Sequence, residues 1–278
     1  MLRTRVMTAL ALLAFLLPGL FYLSPAHWAL LMAAVVGIGA WEWGALLRWS
    51  ESRRRLLGLV MALICGGVSL LAPEVVGENA SGNFASPWVI SVYAVSAGFW
   101  CLLVPFWLRG RWALGSGSAG LLTGVIVLFP TWLALVQLRV AGPGVLLALF
   151  AVVWMADIAA YFSGKKFGKH KLAPTISPGK TREGAFGAVI GVVIYGLGVR
   201  LTTGYAPLGL PLWIVVLIAI TAVSIIGDLY ESMLKRQAGI KDSSHILPGH
   251  GGVLDRIDSL TSTMPIIALL WLATRGSE

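Results

Sequence analysis

The acidic and basic residues of this sequence are concentrated in two charged stretches, residues 157–184 and residues 227–259. Five of the chain's 12 acidic residues lie in the second stretch, and they are Asp228, Glu231, Asp242, Asp255 and Asp258. Three of the four histidines also fall in these stretches, as His170, His245 and His250. Carboxylates beside many cations suit a site in which a hard cation such as Mg²⁺ is held together with phosphate oxygens.

Asp157 and Asp228 are the most informative acids, because each lies near the end of an apolar run long enough to cross a membrane. A carboxylate in that position is costly unless it faces water or a counter-ion, so it indicates a functional site. Asp157 and Tyr161 are four residues apart, as are Asp228 and Ser232, so each pair shares one face of a helix. We therefore expect Asp157 and Asp228 to face a polar cavity.

Asp255 and Asp258 would share a helical face if the last helix has already begun at these positions. The alternative is that these acids only neutralise neighbouring cations, and for Asp258 this alternative stays open. Lys and Arg side chains can clamp phosphate oxygens, and the candidates are Lys235, Arg236, Lys241 and Arg256. The basic run 53–55 has a simpler explanation, since it suits membrane topology and attraction to anionic lipid headgroups.

Three short patterns bear on the kind of ligand. The glycine-containing segment 248–252 could approach a ligand closely, and its N–H groups could form an anion-binding nest. Residues 179–181 resemble the end of a nucleotide-binding P-loop, but Pro174 stands where that loop requires glycine and no strand is expected before it, so a P-loop is rejected. His245 and His250 have no cysteine nearby, so zinc is not expected.

The elements that must position these residues are apolar helices. The chain is 58% hydrophobic and only 12% charged, against about 25% charged residues in a typical soluble domain. This composition excludes a water-soluble globule, and it excludes disorder, which needs low hydrophobicity and high charge. Since about 20 mostly apolar residues span a bilayer as a helix, nine spans are predicted: residues 7–24, 27–47, 56–76, 88–108, 119–138, 143–163, 184–204, 209–230 and 259–274.

We predict an all-α, polytopic membrane protein with one membrane domain over residues 1–278, whose N-terminal helices occupy 1–138 and whose C-terminal helices, with both charged stretches as connectors, occupy 139–278. Strands are not expected, because the apolar runs are too long and do not alternate. Eighteen of the 21 Lys and Arg residues fall on one side of this arrangement. The positive-inside rule then places the N-terminus and both charged stretches in the cytoplasm and the C-terminus outside. A cleavable signal peptide is the alternative for the first span, which we expect to stay uncleaved.

A long pattern of polar residues with fixed spacing runs through the second charged stretch. It reads Ser232-x-Leu234-Lys235-Arg236-x4-Lys241-Asp242-x-Ser244-x2-Leu247-Pro248-x-His250-Gly251-Gly252-Val253-x-Asp255-Arg256-Ile257-Asp258. The first stretch contains Asp157-x2-Ala160-Tyr161-x2-Gly164, then Phe167-Gly168-Lys169-His170-Lys171-Leu172, then Ser177-Pro178-x-Lys180-Thr181-x-Glu183-Gly184. These patterns resemble those of the phosphatidate cytidylyltransferases, also called CDP-diacylglycerol synthases, and Trp41-Glu42-Trp43 resembles a further feature of that family. Arg182 and His245 depart from the family pattern at flanking positions.

The resemblance implies that CTP and phosphatidic acid give CDP-diacylglycerol and pyrophosphate, with Mg²⁺ as cofactor and a second cation left open. It implies a homodimer in the cytoplasmic (inner) membrane, with the site facing the cytoplasm and with membrane lipids but no nucleic acid as partners. The chemistry of the residues agrees, since metal and cationic side chains would offset the repulsion between two anionic substrates. No strong base is required, because the attacking lipid phosphate is largely ionised at neutral pH.

The roles that follow from this reaction are predictions. The predicted catalytic residues are Asp228, Asp255, Lys235, Arg236 and Lys241. The predicted metal ligands are Asp228, Asp255, Asp258 and Asp157. The predicted substrate-binding residues are Ser177, Lys180, Ser232, Asp242, His250, Gly251, Gly252, Arg256 and Tyr161.

Three other interpretations compete with this one. A secondary transporter would place polar groups near the bilayer midplane and show internal repeats, whereas here the polar groups lie at helix ends and no repeat is found. A CDP-alcohol phosphotransferase is disfavoured, because the spaced acidic pattern of that class is missing. An inactive protein of the same fold would keep the helices, but the complete set of polar residues argues against it.

Overall fold

The structure, a computed structural model, describes residues 2–77, 84–204 and 208–275. Over these residues the chain forms nine helices and one short hairpin. The helices are α1 (Leu2–Tyr22), α2 (Pro25–Leu46), α3 (Glu51–Leu71), α4 (Pro87–Gly110, with a π-helical turn at Phe99–Leu103), α5 (Ser118–Val140), α6 (Pro143–Phe167), α7 (Arg182–Thr203), α8 (Leu210–Ala238) and α9 (Leu254–Arg275). The strands are β1 (Lys171–Ala173) and β2 (Ser177–Thr181). The predicted all-α class is confirmed.

Eight of these helices, α2 to α9, are long and apolar enough to cross a membrane. The first predicted span is a helix too, but its apolar part, Val6–Tyr22, is shorter than the others. Within the described residues, eight of the nine predicted spans therefore meet the length and composition needed to cross a membrane, and the first stays a prediction. Each of the nine apolar segments read from the sequence nevertheless coincides with a helix in the described part of the chain.

Proline and glycine mark the ends of several helices. Proline occupies the first turn of α2, α4, α6 and α8, where its missing N–H has no helical partner to lose. Gly204 and Gly239 follow α7 and α8 in the left-handed conformation, with φ of 69° and 78°, which is the usual way for a helix to stop. These local signals explain where the helices begin and end.

Two helix ends differ from the prediction in a way that concerns the charged residues. Helix α8 continues past residue 230 to Ala238, so Lys235 and Arg236 lie on a helix rather than in a connector. Helix α9 begins at Leu254 rather than at residue 259, so its first two turns carry Asp255 and Asp258. The apolar criterion stops at the first charges, whereas Glu, Met, Leu, Lys, Arg and Gln all favour the helix.

The hairpin between α6 and α7 was not predicted. Its strands are antiparallel, with Lys171 opposite Thr181 and Ala173 opposite Ser177. Thr181 also caps α7, because its Oγ1 accepts a hydrogen bond from the N–H of Gly184 at 3.1 Å. The first charged stretch is thus an ordered element that leads directly into a transmembrane candidate.

The core draws on most of the helices, and two of its buried tryptophans join α2 to α5. Trp28 Nε1 donates to the carbonyl of Leu135 at 3.1 Å, and Trp132 Nε1 donates to the carbonyl of Ala29 at 3.0 Å. Both indoles are fully buried, so each needs its partner inside the protein.

Contacts at the two ends of the helices show which connectors lie together. At one end Thr8 Oγ1 donates to the carbonyl of Pro248 at 2.8 Å, and the Arg48 guanidinium donates to the carbonyl of Gln237. At the other end Arg139 donates to the carbonyls of Leu20 and Leu23. The start of α1, the end of α2, the end of α8 and the second charged stretch therefore share one end of the molecule.

Candidate active site

A cavity of about 530 Å³ opens between α6, the hairpin, α7 and α8. Its polar lining comes from both charged stretches: Asp157, Tyr161, Lys165, Ser177, Lys180, Thr181, Ser224 and Asp228. Five of the predicted site residues thus meet in one place, namely Asp157, Tyr161, Ser177, Lys180 and Asp228. The expectation that Asp157 and Asp228 face a polar cavity agrees with this geometry.

An ion pair joins the hairpin to α8 inside this cavity. Lys180 Nζ contacts Asp228 Oδ2, and both side chains are 26% exposed. Asp228 Oδ1 accepts a hydrogen bond from Ser232 Oγ at 3.3 Å, as the helical spacing predicts. The ammonium group of Lys180 therefore occupies a position beside Asp228 that attracts a cation.

Two further carboxylates lie near this pair. Asp157 interacts electrostatically with Asp228 and Lys180, and Asp258, from α9, interacts with Asp228 and Asp157. Asp258 Oδ1 also accepts from the N–H of Ser259 at 2.6 Å. Among residues 2–77, 84–204 and 208–275, no three His, Cys, Asp or Glu side chains converge closely enough to form a metal cage. A cation here would take one or two carboxylates, with water and ligand oxygens completing its shell, as Mg²⁺ commonly does.

Asp255 and Lys235 belong to a second, more buried cluster. Lys235 Nζ lies 2.5 Å from Asp255 Oδ1 and 3.3 Å from Glu231 Oε1. The three side chains are 13%, 4% and 5% exposed respectively. The charge of Lys235 is thus shared between two carboxylates and ties α8 to α9, which leaves it less available to an external phosphate than its sequence position suggests.

The second oxygen of Asp255 is also occupied. Asp255 Oδ2 accepts hydrogen bonds from the N–H of Ser243 at 2.9 Å, from Ser243 Oγ at 2.9 Å and from the N–H of Gly252 at 2.7 Å. The anion that the Gly252 N–H holds is therefore the chain's own carboxylate. Asp255 would have to release one of these donors to bind a cation.

The loop that carries the glycines folds back as a tight turn. The N–H of Leu247 donates to the carbonyl of Gly251 at 2.9 Å, and the N–H of His250 donates to the carbonyl of Leu247 at 2.8 Å. Gly251 has φ of +83°, and a Cβ there would lie 3.2 Å from Asp255 Cγ, so glycine is required. His250 is half-buried, and its Nδ1 has no hydrogen-bond partner among the described residues.

The remaining predicted cations are turned towards solvent. Arg236, Lys241 and Arg256 are exposed, and none of them takes part in an ion pair within the described residues. Arg256 does not line the cavity, although its charge acts on Asp157 at a distance. Asp242 is half-buried at the start of the loop. These cations are available to anionic ligands, unlike Lys235.

One residue of this region was given no role from the sequence. Glu42, on α2, is fully buried and accepts hydrogen bonds from the loop before α9. The available signal was a carboxylate inside an apolar span, between two tryptophans, which is costly unless it has a specific partner. The partners themselves lie more than 200 positions away in the sequence, so spacing could not reveal them.

These features define a helical membrane protein with acids and cations gathered at one end of its spans. A model of the cytidylyltransferase family matches residues 3–273, and the chain therefore belongs to that family. A phosphatidate cytidylyltransferase of Pseudomonas aeruginosa is 41% identical over 287 residues, which is 100% of each chain. One of Haemophilus influenzae is 32% identical over 98% of this chain and 99% of its own, and one of Staphylococcus epidermidis is 40% identical over 50% and 53%. The resemblance inferred from the charged stretches is confirmed.

Proposed function

We propose that this protein transfers the CMP moiety of CTP to phosphatidic acid, giving CDP-diacylglycerol and pyrophosphate. The observation that carries the proposal is the cavity between α6, the hairpin and α8, where Asp157, Lys180 and Asp228 meet at the ends of apolar helices. A lipid phosphate can reach such a position from the membrane surface, and a nucleoside triphosphate can reach it from water. The full-length relatives that bear this enzyme's name support the same reaction.

The residues of the cavity would act mainly by positioning and by neutralising charge. An oxygen of the lipid phosphate attacks the α-phosphorus of CTP, and the bond to the pyrophosphate leaving group breaks. Both reactants are anions, so cationic side chains must offset their repulsion before they approach. Lys180 at the cavity, with the exposed Arg236, Lys241 and Arg256, is suited to this role.

The donor set of the cavity fits Mg²⁺. Asp228 already attracts one cationic group, the Lys180 ammonium, and the Asp157 and Asp258 carboxylates add further negative charge nearby. We propose Asp228 as the principal ligand, with Asp157 and Asp258 beside it. Asp255 stays a predicted ligand that must first give up a donor. A bound Mg²⁺ would polarise phosphate oxygens and offset their charge.

The orientation in the membrane and the assembly are further proposals. The end of the molecule that gathers α1's start, α2's end and the second charged stretch holds most of the basic residues, which supports a cytoplasmic location in the inner membrane. The C-terminus then lies outside. The homodimer implied by the family resemblance stays a prediction, which the mass of the purified protein in detergent would check.

The direct test is to purify the protein in detergent and supply labelled CTP with phosphatidic acid at several Mg²⁺ concentrations. We expect labelled CDP-lipid and pyrophosphate to form in equal amounts, and only with the cation. Liposomes containing the protein serve as the comparison for a transporter. Flux of an anion without chemical conversion would contradict the proposal and favour the transporter.

A further inference from the structure

Glu42 is the most completely enclosed carboxylate of the described chain. It lies on α2, it has no exposed surface, and its two oxygens accept four hydrogen bonds. Oε1 accepts from Ser244 Oγ at 2.6 Å and from the N–H of Val253 at 2.9 Å. Oε2 accepts from Ser243 Oγ at 3.1 Å and from the N–H of Leu254 at 2.5 Å. A buried carboxylate with this many donors is held in one position.

The four donors come from two separate parts of the connection between α8 and α9. Ser243 and Ser244 lie within it, a few residues after α8 ends at Ala238, whereas Val253 and Leu254 lie where α9 begins. The first N–H groups of a helix have no helical partner and carry partial positive charge, so an acceptor is favourable there. Glu42 thus caps α9 from a different helix and closes the loop at the same time.

The loop that Glu42 closes is the one that surrounds Asp255. Ser243 Oγ lies within hydrogen-bond distance of Glu42 Oε2 at 3.1 Å and of Asp255 Oδ2 at 2.9 Å. Its single proton links the two carboxylates. Gly252 packs against the same side chains, since a Cβ there would lie 2.6 Å from Glu42 Cδ. The position of Asp255, and of the glycines before it, therefore depends on Glu42.

We propose that Glu42 is a positioning residue, which holds the Ser243–Leu254 loop in the conformation that the nucleotide and its cation require. The proposal rests on the proposed function, because it assumes that this loop serves the reaction. Glu42 itself is enclosed by protein groups and touches neither substrate. It acts through the loop, so its loss should alter binding by the site rather than merely the amount of folded protein.

The test compares Glu42→Gln with wild type in the detergent assay. Whichever way the new amide is oriented, its NH2 group faces one serine hydroxyl, which can rotate to accept, and one backbone N–H, which cannot. Either Val253 or Leu254 therefore loses the acceptor of its N–H. We expect the KM for CTP and the Mg²⁺ concentration for half-maximal activity each to rise about tenfold, which is typical when a residue behind a metal site is lost. In hydrogen exchange, the amides of Val253 and Leu254 should exchange faster than in wild type.

The matched control is Gln137→Leu. Gln137 is equally buried and accepts a hydrogen bond from Tyr93 at 2.9 Å, but it contacts only the opposite side of the fold. This variant should lose yield and thermal stability, with KM and Mg²⁺ dependence unchanged. If Glu42→Gln does not fold, Ser244→Ala removes one of the four donors and should move the same two constants in the same direction, by less.

The outcomes separate the two proposals. Unchanged CTP and Mg²⁺ constants in Glu42→Gln and Ser244→Ala, with only a lower yield as in the control, would overturn the positioning role. Unchanged exchange at Val253 and Leu254 would overturn it as well, and that measurement needs no substrate. Failure of the wild-type protein to form CDP-lipid would instead reject the proposed function and leave the exchange result to judge Glu42.

Discussion

At the scale of single residues, the Lys180 ammonium neutralises the Asp228 carboxylate inside the cavity. Each partner is 26% exposed, so ligands can reach both. A phosphate oxygen would compete with Asp228 for the ammonium group, and a divalent cation would compete with Lys180 for the carboxylate. When an anionic substrate and a cation bind together, Lys180 would pair with the substrate and Asp228 with the cation. The original ion pair would then be replaced without leaving a charge unpaired.

Removing the negative charge of Asp228 should abolish this exchange. We expect Asp228→Asn to lower kcat about 100-fold, as is common when a preorganised charge at a reacting phosphate is lost. The measurement is the CDP-lipid assay under saturating Mg²⁺. The control is Glu51→Gln, which removes a 44% exposed charge that pairs with Arg54 and Arg55 on α3. Its amide oxygen can still accept from Trp41 Nε1, so activity should be unchanged. Wild-type rates in Asp228→Asn would remove this residue from the site.

The roles of individual charges were only partly accessible from the sequence. Spacing predicted that Ser232 would lie beside Asp228, because neighbours on a helix follow from local geometry. It did not show that Lys235 is shared between Glu231 and Asp255, because that depends on how α8 packs on α9. A cation in a sequence pattern can bind substrate or support the fold, and only its partners distinguish the two.

At the scale of elements, the site depends on close packing between α6 and α7. Small residues at their contact let the two backbones approach, as is usual between helices in membranes. A Cβ at Gly184 would lie 2.9 Å from the carbonyl oxygen of Ala160, and one at Gly191 would lie 2.6 Å from the Cβ of Ala159. Because α6 carries Asp157 and α7 follows the hairpin, this contact sets the width of the cavity.

Enlarging a residue at this contact should therefore damage both stability and activity. We expect Gly191→Val to lower the free energy of unfolding by about 1–3 kcal/mol, the usual cost of overpacking. The matched control is Gly198→Ala on the same helix, where nothing lies within 4 Å of the added Cβ. That variant should be neutral or stabilising, because alanine favours a helix over glycine. Thermal unfolding in detergent measures both, and equal midpoints would contradict the packing argument.

The helices themselves were predictable, whereas their polar ends were not. Long apolar runs identify spans reliably, because backbone groups in lipid must bond to each other and a long apolar segment therefore forms a helix. The last turns of α8 and the first turns of α9 are polar, so hydropathy missed them. The hairpin has strands of only 3 and 5 residues, too short to show a pattern. Glu42 lies within a short motif that resembles the family, but its partners are about 200 residues further along the chain.

At the scale of the whole molecule, charge asymmetry predicts orientation. The chain carries a net charge of +9, and most of its cations lie in or beside the helix ends that the sequence places on one side of the membrane. Both substrates of the proposed reaction are anionic, so the same asymmetry that orients the protein also enriches substrates beside the cavity. Orientation and catalysis would then depend on the same side of the membrane.

Cysteine labelling would test this orientation. Of the chain's own thiols, Cys65 is buried and Cys101 is exposed, so a Cys101→Ser background is used. We expect Lys169→Cys, in the first charged stretch, to react with a membrane-impermeant maleimide only after cells are opened. Thr202→Cys, at the far end of α7, should react in intact cells. The reverse pattern would invert the proposed topology, and the Cys101→Ser protein without added cysteine gives the background signal.

Two tryptophan hydrogen bonds between α2 and α5 fix the position of one helix along the other, and with it the height of Glu42 in the helix bundle. Trp28 reaches a carbonyl on α5, and Trp132 reaches one on α2, so neither helix can slide along the other without losing both bonds. A slip of one turn, about 5.4 Å, would carry Glu42 away from the start of α9. The two indole hydrogen bonds in the apolar core thereby help to hold the loop that Glu42 contacts in place. In this sense, contacts deep in the helix bundle help to set the position of the loop around Asp255.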